Sequence, residues 1–241
     1  MKNNFKLNCL SSNSIKIIAC VFMAIDHIGY ILFPKIEILR ILGRLSMPLF
    51  AYKIAEGAFY TKNKLRYFSL IFVLGVLFQV VFYVTEQSLY MGILITFSTS
   101  ILTIYALQFF YKKVINGKII EKVYSFILFA SAVGLTYLLN LKLDIDYGFW
   151  GCMLAVFGSI FRFNGTKADG AKVYFTNHLL NLLPFTVGLI LLCFSLGGIQ
   201  YYALFSLPIL LLYSGKRGKL NLKYLFYIFQ SFNSVFYCRV S

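Results

Sequence analysis

A succession of long apolar runs separated by short polar loops constrains this chain more than any other feature. A helix that crosses a bilayer needs about 17 to 25 mostly apolar residues. Windows that approach this requirement are 15–34, 36–60, 65–84, 92–111, 123–141, 147–161, 178–196, 199–213 and 222–237. The sixth and eighth windows are short, and the ninth is interrupted by polar residues. The expected fold is therefore all-α, a polytopic transmembrane helical bundle of about 8–9 spans. With no repeat and no low-complexity linker, residues 1–241 form a single integral membrane domain. At 60% hydrophobic, 13% charged and a mean hydropathy of +0.78, the composition excludes an ordinary soluble domain, in which about a quarter of residues are charged.

The net charge of +15 does not indicate a nucleic-acid partner, because that reading needs basic residues gathered on one soluble face. Here they alternate between loops. Lys2, Lys6 and Lys16, then Lys62, Lys64 and Arg66, then Lys112, Lys113, Lys118 and Lys122, then Arg162, Lys167 and Lys172, then Lys216, Arg217, Lys219 and Lys223 all fall on one side. The other side has little beyond Lys35 and Lys142. Positive residues collect in cytoplasmic loops, which predicts a cytoplasmic N-terminus. The lipid bilayer is the partner, and no nucleic acid is expected.

The cysteines Cys9, Cys20, Cys152, Cys193 and Cys238 are odd in number and lack metal-ligand spacing, so they read as packing residues. No metal is expected. The stretch "IIAC" ending at Cys20 resembles a lipoprotein cleavage site, but the apolar run continues beyond it and the first helix is expected to be retained.

Against this background "FMAIDHIGYILF" stands out. An ionisable group well inside a membrane costs at least ~2.5 kcal/mol and marks a partner or a site. Asp26 and His27 lie in the outer half of the first span. The second window supplies Arg40 and Arg44 at i, i+4, on one helical face. The turn between the two windows is short, so they are antiparallel neighbours and a carboxylate, an imidazole and guanidinium groups can share one outward-facing pocket. Pro48 would leave the Arg44 carbonyl without its helical donor, and irregular backbone is tolerated where it lines a cavity or is buried in protein. The plainer alternative is a structural Asp26–Arg44 ion pair with His27 as a satisfied interior histidine.

Elsewhere, Glu56 reads as an i, i+3 surface pair with Lys53, and His178 as interfacial. Asp144, Asp146 and Tyr147 fall at the outer mouth, where they either reach the same pocket or are solvated. No phosphate-binding Gly-rich loop, zinc signature or serine-hydrolase elbow occurs in the sequence.

Taken in order, "IKIIACVFMAIDHIGYILFP", "LRILGRLSMPLFAYKIAEGAFYTKNKLRY", "ILITFSTS", "DIDYGFWGCMLAVFGSIFR" and "LYSGKRGKLNLKYLFYIF" resemble the TraX family of membrane proteins. That family is named for the protein that N-acetylates F-type pilin in conjugation. The resemblance implies a multi-pass protein of the bacterial cytoplasmic membrane. It also implies acyl transfer, by default from acetyl-CoA, to an amine or hydroxyl of a pilin or envelope acceptor. Carried over by position, the family's polar residues fall on Asp26, His27, Arg44, Glu56, Asp146 and Tyr147. With Arg40 added from the helical spacing, His27, Asp26 and Arg44 are the candidate catalytic residues, and Arg40, Glu56, Asp146 and Tyr147 the candidate substrate-binding residues. A small transporter and a non-enzymatic membrane assembly factor are the alternatives. The resemblance departs after Phe229, where "QSFNSVFYCRVS" lacks the family's Pro and His; a frameshift or early stop near the end of the gene is the expected cause.

Overall fold

The computed structural model describes residues 9–166, 172–175, 178–216 and 218. The described chain is helical: α1 Ser12–Ile31, α2 Glu37–Gly43, α3 Ser46–Tyr60, α4 Lys64–Glu86, α5 Ile93–Asn116, α6 Ile119–Lys142, α7 Gly148–Phe157, α8 His178–Leu196 and, after a 3-10 helix over Gly198–Phe205, α9 Ser206–Leu211. One short antiparallel ribbon departs from the all-α expectation. It pairs β1 (Phe163–Thr166) with β2 (Lys172–Phe175) in a loop that the hydropathy pattern leaves undefined, with Phe163 opposite Phe175.

Five helices, α1, α4, α5, α6 and α8, are long and apolar enough to cross a membrane. On α4 and α6 large apolar side chains stay exposed, among them Leu77, Val80, Ile127 and Leu138. Apolar exposure of this kind suits contact with lipid, which is as apolar as the side chains themselves. The remaining apolar windows are shorter in the structure. Window 36–60 is split into α2 and α3, 147–161 contains the ten-residue α7, and 199–213 is a 3-10 helix followed by a short α-helix. Window 222–237 and the departure after Phe229 lie outside the described residues.

The break between α2 and α3 falls at Arg44 and Leu45, just before the first turn of α3, where Pro48 sits. Proline has no N–H to give the Arg44 carbonyl, and a first helical turn is where it is tolerated. Beyond the break, α3 is buried almost without interruption from Ser46 to Ala55. It packs against α1, α5 and α7 and forms the centre of the bundle.

Two glycines let α2 fold back tightly on α1. A β-carbon on Gly29 would meet the Leu39 side chain, and one on Gly43 would overlap the Asp26 side chain. On α5, "ILITFSTS" places Thr96, Ser98 and Ser100 at buried positions. The Ser98 hydroxyl donates to the Leu94 carbonyl at 2.8 Å, and the single Ser100 hydroxyl hydrogen is shared between the carbonyls of Thr96 at 2.8 Å and Cys152 at 2.6 Å. Small hydroxyl residues allow helices to approach closely and satisfy their own polar groups, and here they join α5 to α7. Cys20, Cys152 and Cys193 are buried free thiols, and Cys9 is exposed.

Candidate functional site

Five parts of the chain converge on a cavity of about 430 Å³. The last turns of α1 contribute Asp26 and His27. Arg40 and Arg44 come from α2 and the break that follows it, Gly75, Phe78, Gln79 and Phe82 from the second half of α4, and Tyr90, Gly92, Ile93 and Leu94 from the entry into α5; Asp146 and Tyr147 come from the loop before α7. Six of the seven residues proposed from sequence therefore line one cavity. Glu56 does not join them: it lies ten residues along α3 from the helix start at Ser46, about 15 Å at 1.5 Å per residue.

The cavity's charges are arranged around Asp26. Its Oδ1 lies 3.3 Å from Arg40 Nη1 and 3.3 Å from Arg44 Nη2, so one carboxylate oxygen faces two guanidinium groups. The i, i+4 spacing of the arginines puts both on the same side of the α2 segment, and Gly43 brings that side against α1. Arg40 also stacks over the Tyr30 ring at 4.9 Å.

His27 is oriented separately. Its Nδ1 lies 2.6 Å from the Met23 carbonyl oxygen one turn earlier. A carbonyl only accepts, so Nδ1 carries the hydrogen, and in the neutral ring Nε2 holds the lone pair. The Met23 carbonyl thus orients His27, while Asp26 faces the arginines.

The opposite wall is held by Asp146. Tyr90 donates its hydroxyl hydrogen to Asp146 Oδ1 at 2.6 Å, Thr96 donates to the Asp146 carbonyl at 2.8 Å, and the backbone of Asp146 pairs with that of Met91. Burial pushes the Asp146 carboxyl up to about 6, against the opposing pull of the Tyr90 hydrogen bond and the Arg44 charge. Its protonation thus changes near neutral pH and with it the balance of charge in the cavity. Asp144 is exposed and contributes its carbonyl to the Met91 N–H at 2.7 Å. Tyr147 has a left-handed backbone, φ 61°, followed by Gly148 at φ 62°. Such a conformation in a non-glycine residue costs of order 1–3 kcal/mol and clusters at functional sites. Here it turns the chain into α7 at the cavity wall.

Two lining residues with polar side chains, Gln79 and Tyr90, are not among those proposed from sequence. Gln79 accepts a long hydrogen bond from the Gly92 N–H at 3.4 Å, and its buried amide nitrogen has no partner among the described residues. It is the one amide in the apolar stretch "VLFQVVFYV", and that isolation was the available signal. Tyr90 sits in a loop where an aromatic residue is unremarkable at a membrane interface.

Glu56 belongs to a second polar cluster at the opposite end of α3. It forms an ion pair with Lys53 at i, i+3, but the pair is not at the surface: Lys53 is 6% exposed. Tyr213 joins them, accepting from Lys53 Nζ at 3.0 Å and donating to Glu56 Oε1 at 2.6 Å. His178 begins α8, and its side chain lies outside the described residues.

No solved structure matches the chain. It is 42% identical over 66 residues to "Uncharacterized protein RP591" of Rickettsia prowazekii (strain Madrid E), covering 27% of this chain and 25% of the relative. It is 32% identical over 73 residues to "Probable fimbrial assembly protein FimC, serogroup H1" of Dichelobacter nodosus, covering 29% of this chain and 30% of the relative. The matched stretch thus spans less than a third of either relative. The family model described as TraX protein matches residues 11–235, and with its apolar helices the chain belongs to the TraX family of membrane proteins.

Proposed function

We propose that this protein is a membrane acyltransferase whose reacting centre is the cavity between Asp26, His27, Arg44 and Asp146. The observation that carries this reading is the lone-pair nitrogen of His27, fixed by the Met23 carbonyl, in the same cavity as two guanidinium groups. That pairing of a base with concentrated positive charge suits transfer of an acyl group to an amine or hydroxyl.

Acetyl-CoA, the proposed donor, supplies an activated acetyl thioester. The donor set fits such a group, since a thioester carbonyl needs hydrogen-bond donors for the negative charge it develops. His27 Nε2 takes the acceptor's proton as the acceptor's nitrogen or oxygen attacks the carbonyl carbon. Arg44 and Arg40 face the carbonyl oxygen, and Asp26 holds both arginines in position. When the carbon–sulfur bond breaks, His27 returns its proton to the departing sulfur. Tyr90 and Asp146 form the wall opposite, and Gln79 offers an amide N–H to the acceptor.

The acceptor is a pilin or another envelope polymer, and the chain resides in the bacterial cytoplasmic membrane with its N-terminus inside and the cavity facing out. The basic loops support this orientation. A second reading, a membrane assembly factor without transfer activity, takes its support from the Dichelobacter relative, a probable fimbrial assembly protein. Comparative mass spectrometry of envelope material from cells with and without the gene separates the two. Loss of one acetyl group from a defined component supports transfer, and an unchanged acetylation pattern with altered assembly supports the second reading.

A further inference from the structure

Among the described residues, the polar cluster at the far end of α3 has an excess of positive charge. Arg162, just past α7, is only 5% exposed, yet no carboxylate among the described residues pairs with it, and its Nη1 has no hydrogen-bond partner among them. Its guanidinium lies over the Tyr52 ring at 4.7 Å. The Tyr52 and Tyr213 rings meet edge to face at 6.4 Å, and Lys53 Nζ sits 4.4 Å from the Tyr213 centroid. Lys16 and Arg162 both lie within electrostatic reach of Lys53. Among the described residues the carboxylate of this cluster, Glu56, is engaged by Lys53 and Tyr213, so none is left for Arg162.

Burying a charge without a counter-ion is costly, and removing one partner of a buried pair is among the most damaging changes a protein sustains. A cation–π contact recovers part of that cost, and the described residues supply Arg162 no anion to recover the rest. The planar fork of arginine matches phosphate oxygens, and lysine and tyrosine add further donors.

We propose that Arg162, with Lys53, Tyr213 and Lys16, forms a binding site for a phosphate-bearing anion, at the opposite end of α3 from the Asp26 cavity. The phosphate belongs either to a soluble ligand or to a lipid headgroup. The site stands independently of acyl transfer.

Thermal unfolding of the purified full chain tests it. In phosphatidylcholine nanodiscs, sodium pyrophosphate and coenzyme A are titrated against sodium chloride at matched ionic strength; separately, phosphatidylcholine nanodiscs are compared with phosphatidylglycerol nanodiscs. A ligand that binds the folded state raises the midpoint saturably. The expected result is a saturable rise that is absent in Arg162→Gln and at least about tenfold weaker in Arg162→Lys, which keeps the charge but loses the fork. A rise with the soluble anions identifies a soluble ligand. A rise seen only with phosphatidylglycerol, with the same dependence on Arg162, identifies a headgroup. No rise beyond chloride in either comparison, or an equal rise in Arg162→Lys, overturns the proposal. If Arg162→Gln does not fold, Arg162→Lys decides alone. His27→Ala retains the response, so loss of acyl transfer and loss of this site are distinguishable.

Discussion

Gly43 has no side chain where Asp26 has one, and the two occupy adjoining space: a β-carbon on Gly43 would overlap the Asp26 carboxyl and its Cβ. This contact places the carboxylate 3.3 Å from both Arg40 and Arg44. Gly43→Ala therefore separates α1 from α2 or turns Asp26 away from the arginines. The expected cost is about 1–3 kcal/mol, as for overpacking, with a loss of acyl transfer larger than the loss of folded protein. Thermal unfolding and labelled-acetyl transfer measured on one preparation check this; wild-type values for both would show that the contact relaxes without consequence.

Asp26→Asn leaves two guanidinium groups facing each other without a carboxylate. Because all three side chains are 15–22% exposed, the destabilisation falls below that of a fully buried pair, at about 1–3 kcal/mol. Adding Arg40→Gln removes one of the repelling charges and is expected to recover part of the stability without recovering transfer. A double-mutant cycle with no coupling between the two positions would contradict the clamp.

Asp146 makes stability depend on pH in a defined direction. Its carboxyl is raised from 3.8 to about 6, so the folded state favours the protonated form. The contribution is fully present below 3.8, is lost as pH rises through 6, and is absent above that. Its size is about 1–2 kcal/mol, less than complete burial would give, because the carboxyl borders the cavity. Unfolding midpoints of the wild type and Asp146→Asn, compared between pH 4 and pH 7, are expected to diverge as pH rises, with the asparagine variant declining less. Parallel profiles would show that Asp146 keeps its ordinary carboxylate behaviour.

Gln79 is expected to act on binding more than on folding. Replacement by leucine removes a buried amide nitrogen that has no partner among the described residues and also the acceptor of the long Gly92 N–H bond, so the two effects offset and stability stays about level. Loss of a hydrogen bond to the acceptor raises KM for it by about tenfold. A change in kcat with KM unchanged would place Gln79 outside acceptor binding.

Much of this arrangement was legible because it is local. The length of each apolar run indicates a helix, and the short turn after α1 makes α2 its antiparallel neighbour. The i, i+4 spacing of Arg40 and Arg44 puts both near Asp26. What could not be read depends on contacts between distant parts of the chain. Gln79 reaches the cavity only because α4 packs along α5, which leaves its second half lining the same space as the residues of α1 and α2. Glu56 looked like half of a surface pair because Lys53 is three residues away; its burial comes from Tyr213, 157 residues further on. The family resemblance, carried over by position, grouped Glu56 with the others, although it lies at the opposite end of α3 from the cavity. The break at Arg44 was foreshadowed by Pro48, whereas the ribbon after α7 had no periodic signal at all.

The most direct test is transfer itself. The protein and its His27→Ala variant, reconstituted in vesicles, are supplied with acetyl-CoA labelled in the acetyl group and with envelope fraction from cells lacking the gene, and label covalently bound to the acceptor is followed over time. The expected result is time-dependent labelling by the wild type and a rate at least about a hundredfold lower for His27→Ala, the usual contribution of a general base, with both proteins equally folded. Equal labelling by the two proteins, or no labelling by a folded wild type, would contradict the assignment of the cavity as an acyl-transfer centre.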